Sequence, residues 1–150
     1  MLLRRMWYTG RSQEKDDETS ADDSLLSSVG VFGTVGVAVS VDGVDWKREE
    51  VVLRPNDDAW WAFDTNCVSV SDLHRISQGA GGPEGDAPSM YYMYYSGGDY
   101  EEVTLPRETA QILGIDSASN VPGLRLRPGV AVSPDGLNWA RLEGPSASYA

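Results

Sequence analysis

The residues with the most evident chemistry lie in one stretch, Trp60–Val70, which reads "WWAFDTNCVSV". Trp60 and Trp61 stand just ahead of Asp64. Flat aromatic faces suit the rings of sugars, and a nearby carboxylate can bind hydroxyls or exchange a proton. The same residues also fit a plainer role, an aspartate capping the turn into a strand, with both tryptophans in a core between sheets. Asp72 follows on the same segment and carries the same two readings, site residue or strand end. Asp99, Glu101 and Glu102 come after "SGG" and belong either to the mouth of a binding cleft or to a solvated acidic loop.

Other chemistries find little footing. His74 is the single histidine and has no cysteine or carboxylate at ligand spacing, so no metal site is predicted. One cysteine, Cys67, excludes an internal disulfide and a multi-cysteine zinc site. There is no Gly-x-Ser-x-Gly elbow, and one histidine among unplaced serines makes no triad. "GAGGPEG" (Gly79–Gly85) lacks the lysine and the strand–helix frame of a phosphate loop. No cofactor is predicted.

The elements that would position the carboxylates follow from a repeated phrase. "GVAVSVDGVDWKR" at Gly36–Arg48 returns as "GVAVSPDGLNWAR" at Gly129–Arg141, identical at nine of thirteen positions and 93 residues apart. The valine-rich run predicts a strand. Asp-Gly after it predicts a turn, with Asp42 or Asp135 capping and the glycine taking positive φ. "VDWKR" or "LNWAR" then predicts a second strand bearing the tryptophan. "MWYTG" (Met6–Gly10) precedes the first copy and "MYYSG" (Met93–Gly97) the second, 87 residues apart. A further strand is predicted over Cys67–Ile76. The repeating unit is therefore four strands in sequence, which is the content of a propeller blade. "MYYMYYSG" is apolar or aromatic at both parities, which predicts burial of both faces. Only Pro106–Leu113 reads as helix, with proline in its first turn.

Composition bounds the partners. The chain has 150 residues and a formal net charge of −11. That length is one domain's worth, and the acidity argues against nucleic acid or an anionic membrane surface. No apolar run reaches the roughly 18 residues of a membrane span. "MLLRRMWYTG" carries basic residues without an apolar core behind them, so no secretory leader is predicted. None of this fixes a compartment. The acidic run Gln13–Asp23 lacks the spacing of a calcium loop and reads as a solvated loop. Residues 77–89 are a Gly/Pro/Ser-rich connector, and residues 98–128 form a long link between strands.

The order aromatic-Tyr-Ser/Thr-Gly, then Gly-Val-Ala-Val-Ser-x-Asp-Gly-x-x-Trp, resembles the five-bladed β-propeller superfamily of arabinanases, levansucrases and invertases, glycoside hydrolase families 32, 43, 62 and 68 among them. The resemblance covers Met6–Trp46 and Trp60–Gly144. The Asp box of sialidase-like propellers fits less well, because Gly136 follows Asp135 directly and Trp139 comes one place early. The resemblance implies an all-β chain of antiparallel four-stranded blades, about one and three-quarter of them. Residues 1–54 would form an incomplete first blade with an acidic loop at 11–28, and residues 60–144 a second. A ring of five needs roughly 200–300 residues, so missing blades would come from a longer chain or a second chain.

The resemblance also implies hydrolysis or transfer at a furanoside-containing carbohydrate. Such chemistry needs two carboxyl groups across the scissile bond. Asp64 is the expected catalytic residue, as base or as the group tuning the acid, because the family places channel-facing aspartates just before the inner strand. Trp60, Trp61, Asp72, Asp99 and Glu102 are the expected substrate-binding residues. Two other readings stay open: a non-catalytic module binding glycan or protein, and a truncated product without activity of its own.

Overall fold

The computed structural model describes residues 3–10, 33–77, 89–112 and 120–142. The acidic run and most of the 77–89 connector lie outside them. The fold is all-β with antiparallel sheets. Strand β1 (Arg4–Gly10), β2 (Thr34–Ser40) and β3 (Lys47–Leu53) form the first sheet in the order β1-β2-β3. Strand β4 (Cys67–Ser77), β5 (Ser89–Gly98), β8 (Leu126–Ser133) and β9 (Ala140–Arg141) form the second, in the order β4-β5-β8-β9. Between β5 and β8, short strands β6 (Glu102–Thr104) and β7 (Asn120–Pro122) pair with each other, and helix α1 (Arg107–Ile112) lies between them in sequence. The predicted helix is present, opened by a bond from the Ala110 amide to the Pro106 carbonyl.

The repeat in sequence is a repeat in hydrogen-bond register. Met6 pairs with Ala38 and Tyr8 with Gly36; Met93 pairs with Ala131 and Tyr95 with Gly129. Ala38 pairs with Arg48, and Ala131 with Arg141. Each tyrosine lies over its cross-strand glycine: a Cβ at Gly36 would meet Tyr8 Cζ at 2.7 Å, and one at Gly129 would meet Tyr95 Cζ at 2.4 Å. Glycine is required there because the ring occupies the space of a side chain.

The turns after β2 and β8 are also built alike. Ser133 Oγ accepts from the Gly136 amide at 2.8 Å, and Asp135 Oδ1 accepts from the amides of Leu137 and Asn138, each at 2.8 Å. Ser40 and Asp42 repeat the pattern, accepting from Gly43, Val44 and Asp45. Gly43 and Gly136 have φ of 84° and 78°, the left-handed conformation that the Asp-Gly pair predicts. Two of these amides reach the Asp42 carboxylate and hold it down to about 2, with the Val44 bond the largest cause. Asp135 is lowered as well, first by the Asn138 amide. The tryptophans depart from the prediction. Trp46 and Trp139 close the turns rather than enter the strands, each indole N–H donating to the glycine carbonyl three residues back at 3.1 Å.

The two sheets share one core. Val35 and Leu53 of the first pack with Val68, Met93, Tyr95 and Ala131 of the second. Polar contacts bind the same seam. Trp7 Nε1 donates to the Gly136 carbonyl at 2.9 Å, Arg5 donates to the Asp135 carbonyl at 2.6 Å, and the Val70 amide donates to Thr9 Oγ1 at 3.1 Å. Only one face of β5 is covered in this way. Met93 and Tyr95 point into the seam, while Tyr94 on the other face is exposed, so the predicted two-sided burial is met on one side. No helix of the described residues is long and apolar enough to cross a membrane.

Candidate functional site: an aromatic cleft beside a buried ion pair

Residues 54–66 carry the polypeptide from β3 to β4 and deliver two structures side by side. The first is the setting of Asp64. Its carboxylate is 1% exposed. Oδ2 accepts from the Tyr95 hydroxyl at 2.9 Å and from Arg141 Nε at 2.6 Å. The same guanidinium donates through its NH2 to the Arg54 carbonyl, and the Asn56 amide bonds the Asp64 carbonyl at 2.9 Å. Gly97 makes the room: a Cβ there would stand 2.3 Å from Asp64 Cβ. Phe63 stacks on Tyr95 with centroids 6.0 Å apart. Burial, and then the Asp64 charge, push the Tyr95 phenol well above its ordinary value, so it stays a donor. Asp64 thus ties β5 and β9 to the segment entering β4. A carboxylate buried with two internal partners is a brace, and losing it would leave both partners without their shared acceptor.

The second structure is an open cleft of about 510 Å³ lined by Trp60, Trp61, Ala62, Thr65, Asp99, Tyr100, Glu101 and Arg127. Trp60 is 86% exposed and Trp61 71%, their rings edge to face with centroids 5.8 Å apart. A tight bond from the Ala62 amide to the Ala59 carbonyl, 2.8 Å, turns the chain so that both indoles leave the core. Opposite them, Asp99 accepts from the Glu101 amide at 3.0 Å. Arg127 NH2 lies 3.6 Å from Asp99 and 3.9 Å from Glu101, and Arg125 bonds Glu101 directly. The wall is therefore polar but close to charge-balanced.

Of the residues singled out from the sequence, Trp60, Trp61, Asp99 and Glu101 converge here. Asp64 neighbours the cleft in sequence yet points into the core. Glu102, expected beside them, is exposed on β6, pairs with Pro122 and does not line the cleft. Asp72 is on the edge strand β4, after a register shift between Val70 and Asp72. It bonds the Leu73 amide at 2.7 Å and His74 Nε2 at 2.9 Å. Those bonds lower its pKa, the backbone one most. His74 thus has a carboxylate partner two residues back, which spacing on an extended strand places on the same face. Sequence reading missed four members: Tyr100 and Arg127 of the cleft and, for the buried brace, Tyr95 and Arg141. Arg141 carried a signal, since arginine closes both copies of the repeated phrase.

A smaller cleft of about 380 Å³, lined by Leu3, Arg5, Trp7 and Tyr91, opens at the other end of the seam. No family model matches this chain, and no curated protein or solved structure matches it either.

Proposed function

We propose that the chain is part of a β-propeller of the arabinanase, levansucrase and invertase kind and that it binds a furanoside-containing carbohydrate in the cleft of Trp60, Trp61 and Tyr100. One observation carries the reading: three large aromatic rings stand exposed around a polar, charge-balanced cleft. Exposed aromatic clusters mark recognition surfaces, and rings beside hydrogen-bonding groups match the two sides of a sugar. The duplicated three-strand unit, with β4 added in its second copy, supports the propeller, with residues 1–54 and 60–144 as successive blades.

Binding is favoured over hydrolysis. Glycoside cleavage asks for one carboxyl group held protonated near neutrality and a second free to attack or to activate water. Asp64 is enclosed by Tyr95 and Arg141, and Asp99 and Glu101 face arginines. The carboxylates with displaced pKa values, Asp42, Asp72 and Asp135, all move downward, away from an acid's requirement.

Calorimetric titration of the full chain with arabino- and fructo-oligosaccharides tests the reading. Saturable binding is expected, weakened about tenfold by Trp60→Ala or Trp61→Ala, equivalent to about 1.4 kcal/mol. Unchanged affinity in the double variant would remove the cleft from recognition. Turnover that persists in wild type and disappears in Asp64→Asn, with the fold retained, would restore the catalytic role of that aspartate.

A further inference from the structure

We infer that the first sheet carries a receptor for an aspartate-bearing β-strand: an extended segment of a partner polypeptide pairs along the edge of β1 that is unpaired among the described residues and seats its carboxylate between Tyr8 and Arg48. The inference is independent of the glycan reading. It rests on the brace in the second sheet and on the register that both sheets share.

Four features make the Asp64 receptor. Tyr95 donates its hydroxyl and Arg141 its guanidinium. Gly97 leaves space for the aspartate, and Gly129 leaves space for the Tyr95 and Phe63 rings, with Phe63 Cζ at 2.7 Å from a Cβ built there. All four recur in the first sheet. At the 87-residue spacing Tyr8 and Gly10 stand for Tyr95 and Gly97; at the 93-residue spacing Gly36 and Arg48 stand for Gly129 and Arg141. The ladder places them alike, Tyr8 across from Gly36 and Arg48 in the row of Ala38 and Met6. Residues in one row, or two apart along a strand, share a face, so Tyr8 and Arg48 sit on the same face as their twins do.

Among the described residues, no aspartate occupies the corresponding place in the first sheet. Of those residues, a Cβ at Gly10 would meet only the Tyr8 ring, at 3.1 Å, where its twin would strike Asp64. Arg48 is exposed, and among the described residues neither it nor the Tyr8 hydroxyl has a hydrogen-bond or ion-pair partner. In the second sheet the acid arrives on the segment that runs into β4, and β4 pairs with β5. β1 is the counterpart of β5, and among the described residues its corresponding edge is unpaired. An edge strand of that kind presents a row of free amides and carbonyls to an added strand. The chain's own residues 60–77 cannot serve, because they are spent on the second sheet. The occupant is therefore a separate strand of the same chemistry: an aspartate three residues before the first paired position, an aromatic ring before the aspartate, and small or branched residues after it.

The probe is a labelled synthetic peptide spanning residues 60–77, with its cysteine as serine, titrated into the full chain and followed by fluorescence anisotropy. Saturable binding at one peptide per chain is expected. Asp64→Asn in the peptide and Arg48→Ala in the chain should each weaken it about tenfold, as loss of a charge-assisted bond does. Tyr8→Phe should weaken it less, and Glu50→Ala, an exposed change elsewhere on β3, should leave it unaltered. Arg48 is exposed, so its variant keeps the fold, which a matching thermal melt verifies. Absence of binding, equal affinity for the asparagine peptide, or equal affinity of the Arg48→Ala chain would overturn the inference. A dimer of the chain that excess peptide cannot displace would also overturn it, by showing that a second copy covers the edge.

Discussion

Met93 is fully buried, while Met6, its twin in the first sheet, is 39% exposed. Both stand in the same row of the same ladder, each across from an alanine. Gly136 is covered by Trp7, which donates to its carbonyl, whereas Gly43 in the matching turn has no facing sheet of the described residues. The difference teaches where each property comes from. Strand, register and turn are local, so two copies of a phrase build them twice. Burial depends on neighbours, and among the described residues only the second sheet has a sheet packed against its methionine face and a fourth strand, with an aspartate three residues ahead of it.

The aspartate gives the largest expected contrast. Asp64→Ala leaves Arg141 and the buried Tyr95 hydroxyl without their acceptor, and urea unfolding should show a loss of about 3–5 kcal/mol. Arg48→Ala, at the twin of Arg141, should change stability by no more than about 0.5 kcal/mol. Equal losses would mean that the first sheet's arginine already has a carboxylate.

The glycines come next. Gly97→Ala forces a Cβ against Asp64 and Phe63 and should cost about 1–3 kcal/mol. Gly10→Ala presses only on the movable Tyr8 ring and should cost less than about 1 kcal/mol in the same assay. A larger loss at Gly10 would break the comparison.

Acid should affect the two turns alike, because both are local. The Asp42 carboxyl sits at about 2 in the folded chain, below the roughly 3.9 of an unfolded aspartate, and Asp135 is lowered too. A lowered folded pKa stabilises the fold above about pH 4, and the contribution disappears as pH falls toward about 2. Amide chemical shifts of Val44 and Asp45 should move in that window, those of Leu137 and Asn138 should follow at still lower pH, and Asp42→Asn should abolish the movement in the first turn alone. The smallest effect concerns Cys67. It is buried beneath the second sheet's end, and desolvation chiefly raises its thiol pKa, so alkylation should proceed only through opening. Rapid labelling of the native chain would contradict that placement.

Much of this was legible in the residues. Asp-Gly located both turns, and the valine and aromatic runs located β2, β5 and β8, because those signals act over a few positions. The tryptophans' place in the turns was hidden by an indole bond to a carbonyl that no propensity encodes. Asp64 was visible as a chemical residue but not as a brace. Its partners Tyr95 and Arg141 lie 31 and 77 residues away, and only the fold brings them together. Of the cleft, the exposed tryptophans, Asp99 and Glu101 could be read; Arg127 could not, since it reaches the cleft from β8 across the sheet.

Amide hydrogen exchange, read segment by segment on the intact chain, tests most directly whether one repeated unit is locked and the other is open. The account predicts that β5 and β8 exchange at least about tenfold more slowly than β1 and β2, and that Asp64→Asn erases most of the gap. Equal protection of the two sheets in the wild type, or a gap that survives Asp64→Asn intact, would contradict it.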